Sequence, residues 1–137
     1  LFIAFYAEKQ STTIIPQERN TIYDTGIFAL KFKVFLKYTF GLPGDETMQG
    51  HPYSKLGIKP YSFYELRNSD LIKSLQDIEK IHPNYNPEKW KMYKHYILTF
   101  HDNMFECIAQ DFEIREENTS LYDQATVMLN ELSIRHF

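Results

Sequence analysis

Apolar and polar positions alternate most regularly between Leu30 and Phe40. Leu30, Phe32, Val34, Leu36, Tyr38 and Phe40 interleave there with Lys31, Lys33, Phe35, Lys37 and Thr39. A period of two gives one buried and one wet face, so the stretch predicts a single long β-strand. The opening run Leu1–Ala7 is apolar throughout and of strand length, which predicts a strand covered on both faces. Between the two, Glu8 to Gly26 is polar and broken by Pro16, Asn20 and the Asp24-Thr-Gly26 turn, and predicts no regular element. Tyr61–Leu66 predicts a third strand. His95–Ala109 predicts two strands folded back on each other, and Asp111–Asn118 a fraying strand end followed by loop.

Two helices follow from a different period. Ser69 is a good N-cap and Asp70 suits the positive end of a helix. Leu71, Leu75, Ile78 and His82 then fall on one stripe, flanked by Ile72 and Ile81, until Pro83 stops the helix. Thr119 or Ser120 caps a final helix with the stripe Leu121, Ala125, Met128, Leu129 and Leu132. Pro87–Tyr93 holds one or two further helical turns, with proline at the first position and Trp90 packed beneath.

The resulting order, β-β-(long loop)-β-α-β-β-α, alternates too irregularly for a doubly wound parallel sheet. It predicts an α+β fold: a single, mostly antiparallel sheet of about five strands with two main helices on one face, in a single domain spanning 1–137.

Composition narrows the class. Apolar residues make up 43% and charged residues 24% of 137, which argues for a globular chain and against disorder. The ten Tyr and eleven Phe favour a sheet-rich core. A net charge of −3 carries no electrostatic footprint for nucleic acid. Lys31, Lys33 and Lys37 therefore read as a solvated sheet face or guarded edge. One cysteine excludes an internal disulfide and a zinc ribbon, and suggests a reducing, cytoplasmic setting. The first residue is Leu1, not Met, which leaves room for a few preceding residues. Leu1–Ala7 is too short for a membrane span and lacks the charged start of a signal peptide. Asn118-Thr-Ser fits a glycosylation acceptor, which without a secretory signal reads as chance.

Residue types that could do chemistry collect in two places. Gly41–Gly57, with four glycines and two prolines, leaves room for at most one helical turn near Asp45–Gln49. Loops of this length are disproportionately functional, and this one carries Asp45, Glu46 and His51. The second place is the hairpin. With Asp102-Asn103 as its turn, Phe100 opposes Phe105, Leu98 opposes Cys107 and Tyr96 opposes Ala109, giving a wholly apolar face. Cys107 then belongs to the core. Thr99, His101 and Glu106 lie on the opposite face, with Glu106 diagonal to His101 and able to orient it. His95 shares that face but stands three pairs away. If the long loop folds over this face, His51 with Asp45 or Glu46 joins His101 and Glu106. Such a set suits acid–base work or a divalent metal, although no cofactor is required by any motif present. His82, at a helix C-terminus, reads as a cap.

Gly41-Leu-Pro-Gly-Asp-Glu46 with Gly50-His-Pro52, then Thr99-Phe-His-Asp-Asn-Met-Phe-Glu-Cys107, resembles a family of small uncharacterised bacterial proteins. The pattern of that family runs G-x-P-N-D-E, G-H-P and F-H-D-S-x-F-E-C. Gly44 and Asn103 depart from it. The resemblance adds emphasis to Asp45, Glu46, His51, His101, Asp102 and Glu106 and implies no reaction. Two functional expectations follow. The first is a small protein, accessory or immunity-like, that binds a protein or small-molecule partner through the 41–57 loop and the hairpin, with Asp45, Glu46 and Asp102 as contact residues. The second is a hydrolase-type or metal-assisted enzyme using His51, His101 and Glu106. Oligomeric pairing through the exposed aromatic strand is a third route to function, and no membrane partner is expected.

Overall fold

The computed structural model describes residues 1–10, 23–117 and 120–133. The glycosylation-like Asn118 lies outside them. Strands β1 (Phe2–Gln10), β2 (Tyr23–Lys33), β3 (Lys37–Gly41), β4 (Phe63–Leu66), β5 (Lys94–Thr99), β6 (Met104–Ala109) and β7 (Asp111–Glu117) combine with helices α1 (Asp70–Glu79), α2 (Pro87–Trp90) and α3 (Leu121–Ser133). The class is α+β, but the expected single five-stranded sheet is wrong. The strands form two antiparallel sheets, one ordered β1-β2-β7 and one ordered β3-β6-β5-β4. The described chain accordingly divides into two compact units, 1–32 with 112–137, and 33–111.

The correction originates in the most regular stretch of the sequence. Apolar residues recur at every second position from Leu30 to Phe40, with Phe35 interrupting the polar set, yet the ladder of β2 stops at Lys33 because Val34 takes a φ of 49°. A β-branched residue in the left-handed region cannot continue a strand. The chain re-enters a ladder at Lys37, now against β6 in the other sheet. Val34, Phe35 and Leu36 are all exposed at the break.

In the first unit β1 and β2 pair from Phe2↔Lys31 through Gln10↔Tyr23, so strand structure extends into the polar segment read as irregular. Phe5 and Phe28 stack at 6.1 Å between ring centres. Asp111–Glu117 is a full strand, not a fraying end. α3 packs on β1, and Ser120 caps it by accepting the Asp123 N–H at 3.1 Å. Its inner face runs through Leu121, Gln124 and Met128, whereas Ala125 and Leu129 face solvent, so the buried stripe is rotated from the predicted one. Glu131 on the same helix binds Lys31 at 3.2 Å and Arg115 at 2.6 Å. Arg115 and then Lys31 hold its carboxyl below the usual carboxylate range.

In the second unit the central strands β5 and β6 carry the core. Tyr96, Leu98, Phe105 and Cys107 are buried on one face, and His95, Ile97, Thr99 and Ile108 on the other. α1 packs on β5. The expectation that both main helices share one face of one sheet therefore fails, since α1 and α3 pack on strands of different sheets. Ser69 caps α1 as predicted, accepting the Ile72 N–H at 3.2 Å. The stripe of α1 is covered only at its start, and Ile78, Ile81 and His82 are exposed. No helix among the described residues is long and apolar enough to cross a membrane.

Candidate functional site

Gly41–Gly57 does fold over the hairpin face that carries Glu106. It holds two consecutive 3-10 segments, Asp45–Gly50 and Pro52–Leu56, where one helical turn was expected. Several contacts fasten it. Asp45 N–H donates to His101 O at 2.7 Å, and Met48 is 4% exposed. Gly44 crosses the hairpin so closely that a Cβ there would lie 2.7 Å from His101 O. At the far end Thr99 Oγ1 donates to Lys59 O at 2.7 Å and accepts the Ser62 N–H at 2.9 Å.

The hairpin register decides which histidine meets Glu106. Phe100 N–H bonds to Asn103 O at 2.8 Å, so the turn is His101-Asp102, one residue earlier than predicted. Leu98 now opposes Phe105 and Tyr96 opposes Cys107. Each face keeps its residues, because a shift of two in pairing preserves side-chain alternation. The diagonal neighbours change, however. Glu106 stands opposite Ile97 and one diagonal from His95, which pairs with Ile108. His95 therefore occupies the place assigned from sequence to His101.

Glu106 lies between two imidazoles. Its Oε2 is 3.4 Å from His95 Nε2 and its Oε1 is 3.7 Å from His51 Nε2. His51 Nδ1 accepts the Tyr53 N–H at 3.1 Å, capping the second 3-10 segment, which leaves the proton of the neutral ring on Nε2 toward Glu106. Ser69 Oγ lies 2.7 Å from His95 Nδ1 and accepts the Ile72 N–H. His95 Nε2 faces the carboxylate without standard hydrogen-bond geometry. Tyr53 closes the cluster, its ring 4.8 Å from His51 and 5.9 Å from His95. Burial, and then the charges of Glu106 and Asp70, raise the Tyr53 hydroxyl above the ordinary tyrosine range.

Ser69, His95 and Glu106 present a hydroxyl, an imidazole and a carboxylate in sequence, the components of a nucleophilic relay. His95 is 0% exposed, Ser69 is 4% exposed, and the Ser69 oxygen caps a helix. The two imidazoles flank a carboxylate that is 13% exposed and would be costly to bury alone, and they bring the loop and α1 against β5 and β6. No group of three or more His, Cys, Asp or Glu among the described residues is arranged to hold an ion.

His101 belongs to a second, solvent-facing group. Its side chain is 65% exposed; Nδ1 lies 2.9 Å from Asp102 and 3.8 Å from Asp45. Tyr61 donates its hydroxyl to Asp45 at 3.2 Å and sets its ring 6.4 Å from the imidazole. The hydrogen bond from His101 Nδ1 to Asp102, and then the charges of Asp45 and Asp102, raise the His101 pKa above the ordinary histidine value of 6.5. Glu46 is exposed beside this group in sequence. Of the six emphasised residues, Asp45, Asp102 and His101 are thus brought together, and His51 with Glu106 form the other set. Cys107 is buried as expected, and burial pushes its thiol up to about 12, out of the range of a nucleophile. His82 is exposed and accepts the Asn84 N–H at 3.0 Å, which braces the turn after α1. Ser69 and His95 are the residues that sequence patterning assigned no part in the site. The available signal was the cap position of Ser69 and the correct face of His95.

No family model matches the chain, and comparison with curated proteins and with solved structures finds no similar protein.

Proposed function

We propose that this is a non-enzymatic partner-binding protein whose contact surface is the hairpin tip together with the start of the 41–57 loop. The observation that carries the reading is the contrast between the two histidine groups. The imidazoles near Glu106 are enclosed and spent on holding the loop down. The imidazole of His101 is exposed, fixed between two carboxylates, and mounted on backbone held by the Asp45–His101 hydrogen bond. Rigid presentation lowers the entropic cost of association. Leu42 at 87% and Tyr61 at 66% exposure offer apolar contact area next to Asp45, Glu46 and Asp102. An acidic tip with an apolar flank suits a partner bearing a basic group beside a hydrophobic one.

The test places a photo-crosslinking residue at Leu42 and, as a control, at Lys73 on the exposed side of α1. The reading expects a discrete adduct from position 42 that disappears in the Asp45→Asn, Asp102→Asn double variant, and none from position 73. It also expects no turnover of small esters or phosphoesters. Hydrolysis by the purified protein that depends on His101 would overturn it in favour of an enzyme.

A further inference from the structure

We infer that the cleft between the C-terminal end of α1 and α2 is a binding site for a neutral saccharide. This does not rest on the tip reading, since no residue of the tip or of the 41–57 loop lines it. The cleft has a volume of about 370 Å³, within the range of small-ligand sites and sufficient for on the order of one or two sugar rings. Tyr85, Trp90 and Tyr93 supply its aromatic lining, beside the apolar Leu36 and Leu75. Trp90 and Tyr93 lie 5.6 Å apart at 52° to each other, so they offer two differently inclined faces.

The walls are set before any ligand arrives. Tyr85 N–H bonds to His82 O at 2.9 Å and Tyr93 N–H to Trp90 O at 3.2 Å. Gln76 Nε2 donates to the Tyr85 hydroxyl at 2.6 Å, and Asn86 caps α2 by accepting the Glu88 N–H at 3.0 Å. Pro83 and Pro87 restrict the connecting chain further.

Charge selects the ligand class. Glu79 and Lys89 both line the cleft and their charges cancel, so neither an anion nor a cation is favoured overall. A phosphorylated ligand would meet one lysine and one carboxylate. A quaternary ammonium would find aromatic faces, but with Lys89 opposing it. The polar lining instead mixes acceptors and donors. Glu79 accepts, Lys89 donates, and the Asn84 amide does both. His82 accepts at Nδ1 from Asn84 N, which leaves a donor at Nε2. Hydroxyl groups donate and accept, and the C–H face of a pyranose stacks on aromatic rings. A neutral sugar matches both halves of the lining.

Trp90 is the only tryptophan in the chain, so intrinsic tryptophan emission reports this cleft alone. Glucose, galactose, mannose, N-acetylglucosamine and maltose are titrated to tens of millimolar against the full chain, with saturation-transfer NMR on each sugar as a second readout. At least one sugar should shift the emission saturably. Glu79→Gln, at an exposed position, should weaken it several-fold, and Tyr93→Ala by about tenfold or more. Three outcomes overturn the inference: no saturable response to any of the sugars in either readout, a response unchanged in both variants, or a response confined to choline or inorganic phosphate offered as charged controls.

Discussion

At the scale of single residues, the four described histidines have different tasks, and the neighbours of each decide which. His95 and His51 flank the carboxylate of Glu106, His82 braces a turn, and His101 faces solvent between Asp102 and Asp45. Because its carboxylate neighbours favour the imidazolium, the His101 pKa stands above 6.5. The ion pair's contribution to stability is then complete below the ordinary histidine pKa and is lost as pH rises through the raised one. An NMR titration should place the His101 midpoint above the ordinary histidine value of 6.5, and Asp102→Asn should move it back down. A His101 midpoint at or below 6.5 would remove the geometric basis for the tip. None of this was legible from residue type. The sequence marked His101 as interesting and assigned it the wrong carboxylate, because the turn was placed one residue late.

At the scale of elements, the 41–57 loop, α1 and the hairpin are joined through one carboxylate and one hydroxyl. Ser69 ends the free N–H groups of α1 and simultaneously occupies His95 Nδ1. Ser69→Ala removes a cap and strands a buried ring nitrogen. It should therefore cost about 1–3 kcal/mol in urea unfolding, more than an exposed cap would. A loss indistinguishable from zero would show that His95 finds another partner and that the cluster is not a clamp. Helix positions were legible here because caps and prolines act locally. Ser69 and Pro87 stand where predicted. The buried stripe of α3 was not, because Gln124 and not Ala125 turned toward β1, a choice made by the packed partner and not by hydropathy.

At the scale of the whole molecule, two antiparallel sheets replace the single one that alternation suggested. In the four-stranded sheet the burial gradient is steep. β5 and β6 are flanked on both sides, whereas every residue of β3 from Lys37 to Phe40 is exposed. Hydrogen exchange should therefore be slowest at amides of Ile97, Leu98, Cys107 and Ile108, and faster in β3 and β4 at the sheet edges. Uniform protection across the four strands would contradict this architecture. The sequence by itself determined the α+β class, the two faces of the 95–109 hairpin, the caps of α1 and α3 and the core position of Cys107, all consequences of local period and local chemistry. It also singled out the 41–57 loop and the hairpin as the places where polar chemistry gathers. Only the tertiary structure decided that Val34 turns a continuous pattern into two strands of different sheets. Likewise it placed His95, not His101, against Glu106. Both outcomes depend on which strand lies next to which and in what register, and a side-chain alternation of period two is unchanged by a register shift of two.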